Sequence, residues 1–424
     1  MRVRSSGLVS RLEAALKPPK PHQRHSLQCL SPISQRRGFR NDSTRTPRAT
    51  DFAFAFDIDG VLVRSANPIP YASQTLQFLQ RNSIPFILLT NGGGKHESER
   101  VKDLSSKLDV NLETSMFVQS HTPFAELVHG EKNLRDKCIM VVGGEGGRCR
   151  DVAEMYGFTN VVTPGDIYSA HPEIWPFSKP FLKDYYSSFA RPLPKPINST
   201  SPEESLKIDA VFVYNDPRDW GLDLQVILDV LLSREGIMGT YSSKNGDLSL
   251  PNSGYLQDNQ PPLYFSNPDL LWAAKYHLSR LGQGGFRESL EGLWRAVTAH
   301  SHGSNTIAPE LYKTVIGKPY TETYSFAESL LLRHRDSLFA KEGASTSLKK
   351  VYMVGDNPES DIRGANSYDS PHGVEWVSLL TRTGVFRDRP GHKPTWEPRA
   401  IVDDVRAAVQ YALKDSGWDQ QPLE

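Results

Sequence analysis

Asp57 and Asp59, Thr90 with Asn91, Lys318, and Asp356 with Asp361 are the residues whose types could together act on a phosphorylated compound. A transferred phosphoryl group is negatively charged, so an anionic nucleophile approaches it only beside a divalent cation and a fixed positive charge. Asp57 can supply the nucleophile, giving an aspartyl-phosphate that divides the reaction into two steps. An ordinary aspartate pKa of ~3.9 would keep it ionised near neutral pH. Asp59, two residues on, can protonate the leaving oxygen and then activate water. That role needs a raised pKa in at least one state of the cycle, which a neighbouring carboxylate promotes. Thr90 offers a hydroxyl to a phosphoryl oxygen, with Asn91 beside it, and Gly92-Gly93-Gly94 lets backbone come close. Lys318 can balance the charge of nucleophile and phosphate. Asp356 offers hard oxygen to Mg²⁺, an ion that takes one or two protein carboxylates and completes its shell with water and phosphate.

These residues need elements that carry them to one place. Phe52-Ala53-Phe54-Ala55-Phe56 alternates strictly and reads as a buried strand. Helical spacing follows over 72–82, then the continuous apolar run Ile84 to Leu89, a polar helix over 95–108, and a short strand near Met116-Phe117-Val118. This βαβαβ rhythm predicts an α/β fold with a doubly wound parallel sheet, Rossmann-like, whose ligands collect at the carboxyl ends of strands. The rhythm returns after about residue 306. Gly317-Lys318-Pro319 opens a helix running to about 335, and strands follow at 350–354 and 375–380. Between the two stretches lie strand candidates at 138–143, 160–163, 208–213, 237–241 and 262–265, with loops over 191–204 and 242–262. The simplest organisation is a core built from 51–130 and 306–424, with 131–305 inserted as an α/β cap. Every polar cluster then sits at a strand end or helix start on one sheet edge, although Asp57 and Asp356 are about 300 residues apart.

The net charge of zero hides an asymmetry. Residues 1–50 hold 11 Lys/Arg against Glu13 and Asp42; with 49 of each sign in the whole chain, 38 basic and 47 acidic residues remain. The basic segment is rich in Ser and Pro, and Leu8, Leu12, Ala15 and Leu16 can share a helical face, so it reads as a disordered mitochondrial import peptide. A basic tail that binds nucleic acid or acidic lipid is the other reading. The acidic remainder argues against nucleic acid as the main partner. No run of about 18 apolar residues predicts a membrane span. Cys29, Cys138 and Cys149 form neither a metal pair nor an even disulfide framework. A soluble matrix protein is the expectation, with homo-oligomerisation left open.

Each cluster also has a plainer reading. Asp57 and Asp59 can be turn residues after a strand, Thr90-Asn91-Gly92 a turn, Lys318 a solvated helix-start lysine, and Asp361 a helix cap. Gly143 to Gly147 lacks both the spacing and the lysine of a nucleotide loop. His300 and His302 lack a third ligand. Trp272 and Trp294 read as cap core. The four clusters occurring together favour a site.

The segments Phe56-Asp57-Ile58-Asp59-Gly60-Val61-Leu62, Leu89-Thr90-Asn91-Gly92, Gly317-Lys318-Pro319, and Val354-Gly355-Asp356-Asn357 with Ser360-Asp361-Ile362 resemble the motifs of the haloacid dehalogenase superfamily. The placement of the insert resembles its subclass with a large α/β cap. Val141-Val142-Gly143-Gly144 and Ser266-Asn267-Pro268-Asp269 are similar to cap segments of its nucleotide- and glycerol-phosphate phosphatase branch. Within that branch, the run from Gly355 to Asn366 is most similar to the mitochondrial cat-eye-syndrome critical-region hydrolases. The resemblance covers nearly everything from Asp51 onward. It implies Asp57 as nucleophile, Asp59 as acid/base, and Mg²⁺ held by Asp57, the Asp59 carbonyl and Asp356, with Asp361 behind them. In the cap, Ser266 stands where relatives often carry Thr, and Val213-Tyr214-Asn215-Asp216 where they often carry Val-Gly-Phe-Asp, a departure that bears on recognition. Within the superfamily a carboxylate at Asp59 favours phosphate-ester hydrolysis over dehalogenation, whose halide needs no proton. The implied function is hydrolysis of a small phosphorylated metabolite, with an association to glycerophospholipid synthesis. The alternative is a binding or assembly protein that keeps the fold with little or no turnover.

Overall fold

The computed structural model describes residues 49–420 and Leu423, apart from 66, 131, 179–183, 199, 303–304, 341–346, 389–390 and 392. The import peptide expected over 1–50 and Cys29 fall outside these residues, save for 49 and 50.

Six parallel strands form the first sheet, in the order Ala400–Val402, Glu375–Thr381, Lys350–Gly355, Phe52–Phe56, Phe86–Leu89, Phe117–Val118. The order reverses between Phe52–Phe56 and Lys350–Gly355, which makes a doubly wound α/β sheet with its switch point there. The alternation in the central strand sets what packs on each face. Phe52, Phe54 and Phe56 point to one side, where they pack with Tyr352, Phe86 and residues of the helices Ala72–Arg81, Glu97–Leu108 and Val405–Asp415. Ala53 and Ala55 point to the other, and their small size lets Tyr324, Ala327 and Leu331 of the Thr321–Leu338 helix reach the sheet. Burying each phenylalanine contributes about 1.5–3 kcal/mol.

Five parallel strands form the second sheet, in the order Thr314–Val315, Leu263–Phe265, Ala210–Val213, Cys138–Val142, Asn160–Val162. Its last strand lies beyond residue 306, where the sequence reading places the return to the first sheet. The strand predicted at 237–241 is absent: Ile237 makes one isolated bridge to Lys207. Gly236 and Gly239 take positive φ there, and the Thr240 hydroxyl accepts from Arg234 N and donates to Ile237 O, so turn chemistry prevails over the apolar side chains. His300–His302 pairs antiparallel with Asn305–Ile307. No helix among the described residues is long and apolar enough to cross a membrane.

Candidate active site

The two strands flanking the switch point of the first sheet run in register, Phe56 beside Val354, so each delivers an aspartate at its carboxyl end. Asp57 N donates to Val354 O at 2.9 Å, continuing the ladder past the strand. Asp356 follows Gly355, and its Oδ2 accepts from Val385 N at 2.5 Å. Two glycines make room for that carboxylate. Gly60 has φ +102°, and a Cβ there or at Gly384 would collide with Asp356. Asp361 lies in the helical turn Pro358–Ile362. Its Oδ2 accepts from the backbone N–H groups of Asp356 (3.1 Å) and Asn357 (3.0 Å), fixing the loop that carries Asp356.

Lys318 reaches this edge from between the sheets. Its helix begins at Thr321, so Lys318 sits in the preceding loop instead of opening the helix as predicted. Asn91 holds that loop from both sides: its Oδ1 accepts from Lys318 N at 2.7 Å and its Nδ2 donates to Lys318 O at 2.8 Å. The Lys318–Pro319 peptide is cis. The ammonium lies 2.5 Å from Asp57 Oδ1 and 2.7 Å from Asp361 Oδ1, and donates to Leu89 O at 2.8 Å. The solvated-lysine reading therefore fails, since Lys318 is only 1% exposed.

Carboxylate oxygens of Asp57, Asp356 and Asp361 lie within 4.8 Å of one another. Burial raises the Asp57 pKa to about 8; Lys318 opposes the shift, while the charges of Asp361 and Asp59 add to it. The ordinary carboxylate expected from sequence is thus not what burial beside Asp361 and Asp59 gives. Asp356 is raised well above its ordinary value by burial and then by Asp57 and Asp361. Burial works against the Lys318 charge, yet Asp361 and Asp57 keep it firmly protonated. Three clustered carboxyls against one ammonium leave two negative charges when all are ionised. A divalent cation fits that deficit and the hard-oxygen donors around it. Asp59 is raised by burial, with Arg100, 3.6 Å away, pulling the other way.

All of these groups line one cavity of about 500 Å³, together with Thr90, whose Oγ1 accepts from Gly92 N at 2.9 Å. The second sheet contributes its roof through Asn215, Asp216, Asn267 and Asp269. Every residue singled out from sequence as a site candidate is present at this one place.

Two family models match the chain: a haloacid dehalogenase-like hydrolase model over residues 54–159 and a second of the same superfamily over 315–408. A mitochondrial hydrolase of Saccharomyces cerevisiae is 39% identical, the match covering 85% of this chain and 95% of the yeast protein. The chain belongs to the haloacid dehalogenase-like hydrolases. A cardiolipin synthase (CMP-forming)/mitochondrial hydrolase fusion protein of Schizosaccharomyces pombe is likewise 39% identical, over 88% of this chain. The match spans only 54% of that fusion's length. Among solved structures, a hypothetical protein of Pyrococcus horikoshii shares the fold at TM-score 0.51 and 18% identity, covering 85% of this chain and 99% of that one.

In this haloacid dehalogenase-like hydrolase, Arg100 and Asp269 line the cavity without a role in the sequence reading, and Trp272 lines it where cap core was expected. Arg100 faces Asp59 from the Glu97–Leu108 helix, whose polar pattern gave no reason to prefer it. Asp269 accepts from Asn91 Nδ2 at 3.1 Å, joining the second sheet's loop to the first sheet's, and burial raises its pKa to about 7. Its place in Ser266-Asn267-Pro268-Asp269 was the available signal. Trp272 was expected in the cap core, as Trp294 is. Trp294 is 1% exposed within a helix, whereas Trp272 is 39% exposed at the cavity wall, in a two-stranded hairpin.

Proposed function

We propose that this chain is a Mg²⁺-dependent phosphomonoesterase that works through an aspartyl-phosphate on Asp57. The observation that carries the reading is the cluster of three buried carboxyls around Lys318 in the cavity, a hard-oxygen donor set that suits a divalent cation and, beside it, a phosphate. Asp57, Asp356 and the Asp59 backbone carbonyl would hold Mg²⁺, with Asp361 fixing the Asp356 loop. When bound, the ion supplies positive charge that offsets the repulsion between phosphate and nucleophile.

An Asp57 oxygen bonds to phosphorus as the phosphorus–ester oxygen bond breaks, and the departing alcohol takes a proton from Asp59. Water then attacks the aspartyl-phosphate, gives its proton to Asp59, and the Asp57–phosphorus bond breaks to release inorganic phosphate. The raised Asp59 pKa suits both transfers, because its carboxyl holds a proton more readily than an ordinary aspartate does. Lys318 holds Asp57 in place and neutralises it, while Thr90 and Asn91 shape the phosphate end of the cavity. The second sheet acts as the cap, restricting entry to compounds that fit beneath it. The names of the yeast relatives support a mitochondrial location, for which we assign the matrix and residues 1–50 as the import segment. The fission yeast fusion with a cardiolipin synthase supports a substrate connected with glycerophospholipid synthesis.

The test is hydrolysis of an aryl phosphate with Mg²⁺, with chelator, and in Asp57→Asn. Wild type with Mg²⁺ should turn over, and both controls should lose at least about 10⁴-fold in kcat. Inactivity of the wild type on the aryl ester and on a panel of phosphorylated metabolites would favour the binding-protein alternative.

A further inference from the structure

Exposed apolar bulk is concentrated beside the cavity. Sixteen large hydrophobic side chains are exposed among the described residues, and six of them lie in the twelve residues 270–281: Leu270, Leu271, Trp272, Tyr276, Leu278 and Leu281. Soluble surfaces scatter such residues singly, and a contiguous group marks a contact surface. The segment is an antiparallel hairpin, with Leu271 opposite Leu281 and Trp272 opposite Arg280.

Its charge is one-sided. Lys275 and Arg280 are the Lys and Arg residues between 270 and 281, and no acid falls among them. Arg280 lies over the Tyr276 ring at 4.6 Å, and Arg387 reaches across from the loop after the Glu375–Thr381 strand to donate to His277 O at 2.9 Å. The hairpin also stands at the way in. Leu271, Trp272 and Leu281 line the catalytic cavity on one side. Leu270 and Leu278 line a neighbouring groove of about 570 Å³ on the other, with Lys393 at its edge. The two spaces share Asp269, Leu271, Asn357 and Val385 as walls, so they adjoin.

Leucines interleaved with Trp, Tyr and cations are the chemistry of an anionic bilayer surface, where leucine enters the acyl boundary, aromatic rings sit at headgroup level and cations meet phosphates. A second copy of the chain is a poorer occupant, since a two-fold contact would bring Lys275 and Arg280 of both copies together with no acid in the hairpin to answer them. We propose that the Leu270–Leu281 hairpin docks the cavity mouth on an anionic lipid bilayer, so that the phosphomonoester reaching Asp57 is a lipid headgroup. The second half rests on the phosphatase reading above; the first does not.

The experiment is cosedimentation of the full chain with phosphatidylcholine vesicles, with and without phosphatidylglycerol, for wild type and Lys275→Glu/Tyr276→Ser. Neither substituted residue lines the cavity. Wild type should partition preferentially to the anionic vesicles, and the variant should lose about tenfold or more of that partitioning. Aryl-phosphate turnover in solution should be the same for both. Equal binding by the variant, or no preference of wild type for the anionic vesicles, overturns the proposal. So does a dimer in sedimentation velocity that the double substitution dissolves without changing vesicle binding, which would assign the patch to a second copy. Loss of anionic partitioning in the variant, with no phosphatase turnover in either protein, would uphold the docking and overturn only the reading of the catalytic site.

Discussion

At the switch point of the first sheet, Asp57 and Asp356 leave neighbouring strands side by side above open space. The second sheet repeats the arrangement. Its Cys138–Val142 and Ala210–Val213 strands are in register, and Tyr214 N donates to Val142 O at 3.0 Å, as Asp57 N does to Val354 O. There the resemblance stops, because little space is left, a cavity of about 40 Å³ beside Gly143 and Gly144. Gly143 takes φ +99° with the Asn215 carbonyl packed where its Cβ would be, and Tyr214 is fully buried against His121 and Phe124. One topology therefore yields a reactive crevice in one sheet and a packed corner in the other. Doubly wound folding makes the crevice available, and side chains decide whether it becomes a site.

The comparison can be broken in several ways. The largest effect should come from Asp59→Asn, which keeps the shape of the crevice and removes the proposed acid/base. kcat on aryl phosphate should fall about 10²–10⁴-fold with melting temperature nearly unchanged, since the group is not needed for packing. A smaller drop than tenfold would place the group that activates water elsewhere.

A matched pair of substitutions comes next. Lys318 and Arg150 are both 1% exposed and ion-paired, Lys318 to Asp57 and Asp361, Arg150 to Asp166 at 2.9 Å in the second sheet's helices. Removing one partner of a buried pair costs about 3–5 kcal/mol, so Lys318→Met and Arg150→Met should both lower stability in denaturant titrations. Only Lys318→Met should also lower turnover per folded molecule, by about 10²-fold or more. Equal turnover losses would erase the distinction between the two sheets.

The charge cluster itself predicts a pH dependence. Asp57 moves from an ordinary 3.8 to about 8 on folding, chiefly through burial. The folded protein then binds more protons than the unfolded chain between those values, so the metal-free protein should lose stability as pH rises through that window. Melting temperature in chelator should fall from pH ~5 to ~8, and Mg²⁺ should flatten the curve by answering the carboxylate charge. The smallest effect belongs to Arg100→Ala. Arg100 holds the Asp59 pKa down, so its loss should move the alkaline limb of the rate profile to higher pH with a kcat change below about tenfold.

The clusters that meet at the first sheet were legible because each is written locally. An apolar strand that ends in Asp57, Thr90 or Asp356 fixes both the element and the edge at which its polar residue emerges. Lys318 was legible by residue type but not by mechanism, since its placement depends on Asn91, 227 residues away in sequence. The raised Asp57 pKa is not legible in the sequence for a similar reason: desolvation is a tertiary property that no local pattern carries. In the second sheet, 237–241 has β-forming side chains on a backbone that two glycines bend into turns. Trp272 and Trp294 are the same residue type, but Trp272 lies in an exposed two-stranded hairpin and Trp294 on the buried side of a helix. Local pattern thus conveyed the reactive groups, while the surfaces that recognise a partner needed the fold.

The most direct test of the account is acid-quench mass spectrometry of Asp59→Asn after mixing with aryl phosphate and Mg²⁺. An aryl leaving group departs with little help from an acid, so the first step should proceed and the second should stall. The account predicts one phosphoryl group accumulating on the peptide that carries Asp57, and none in the Asp57→Asn/Asp59→Asn double variant. A phosphoryl group on any other residue, or phosphate release with the Asp57 peptide unmodified, would contradict it.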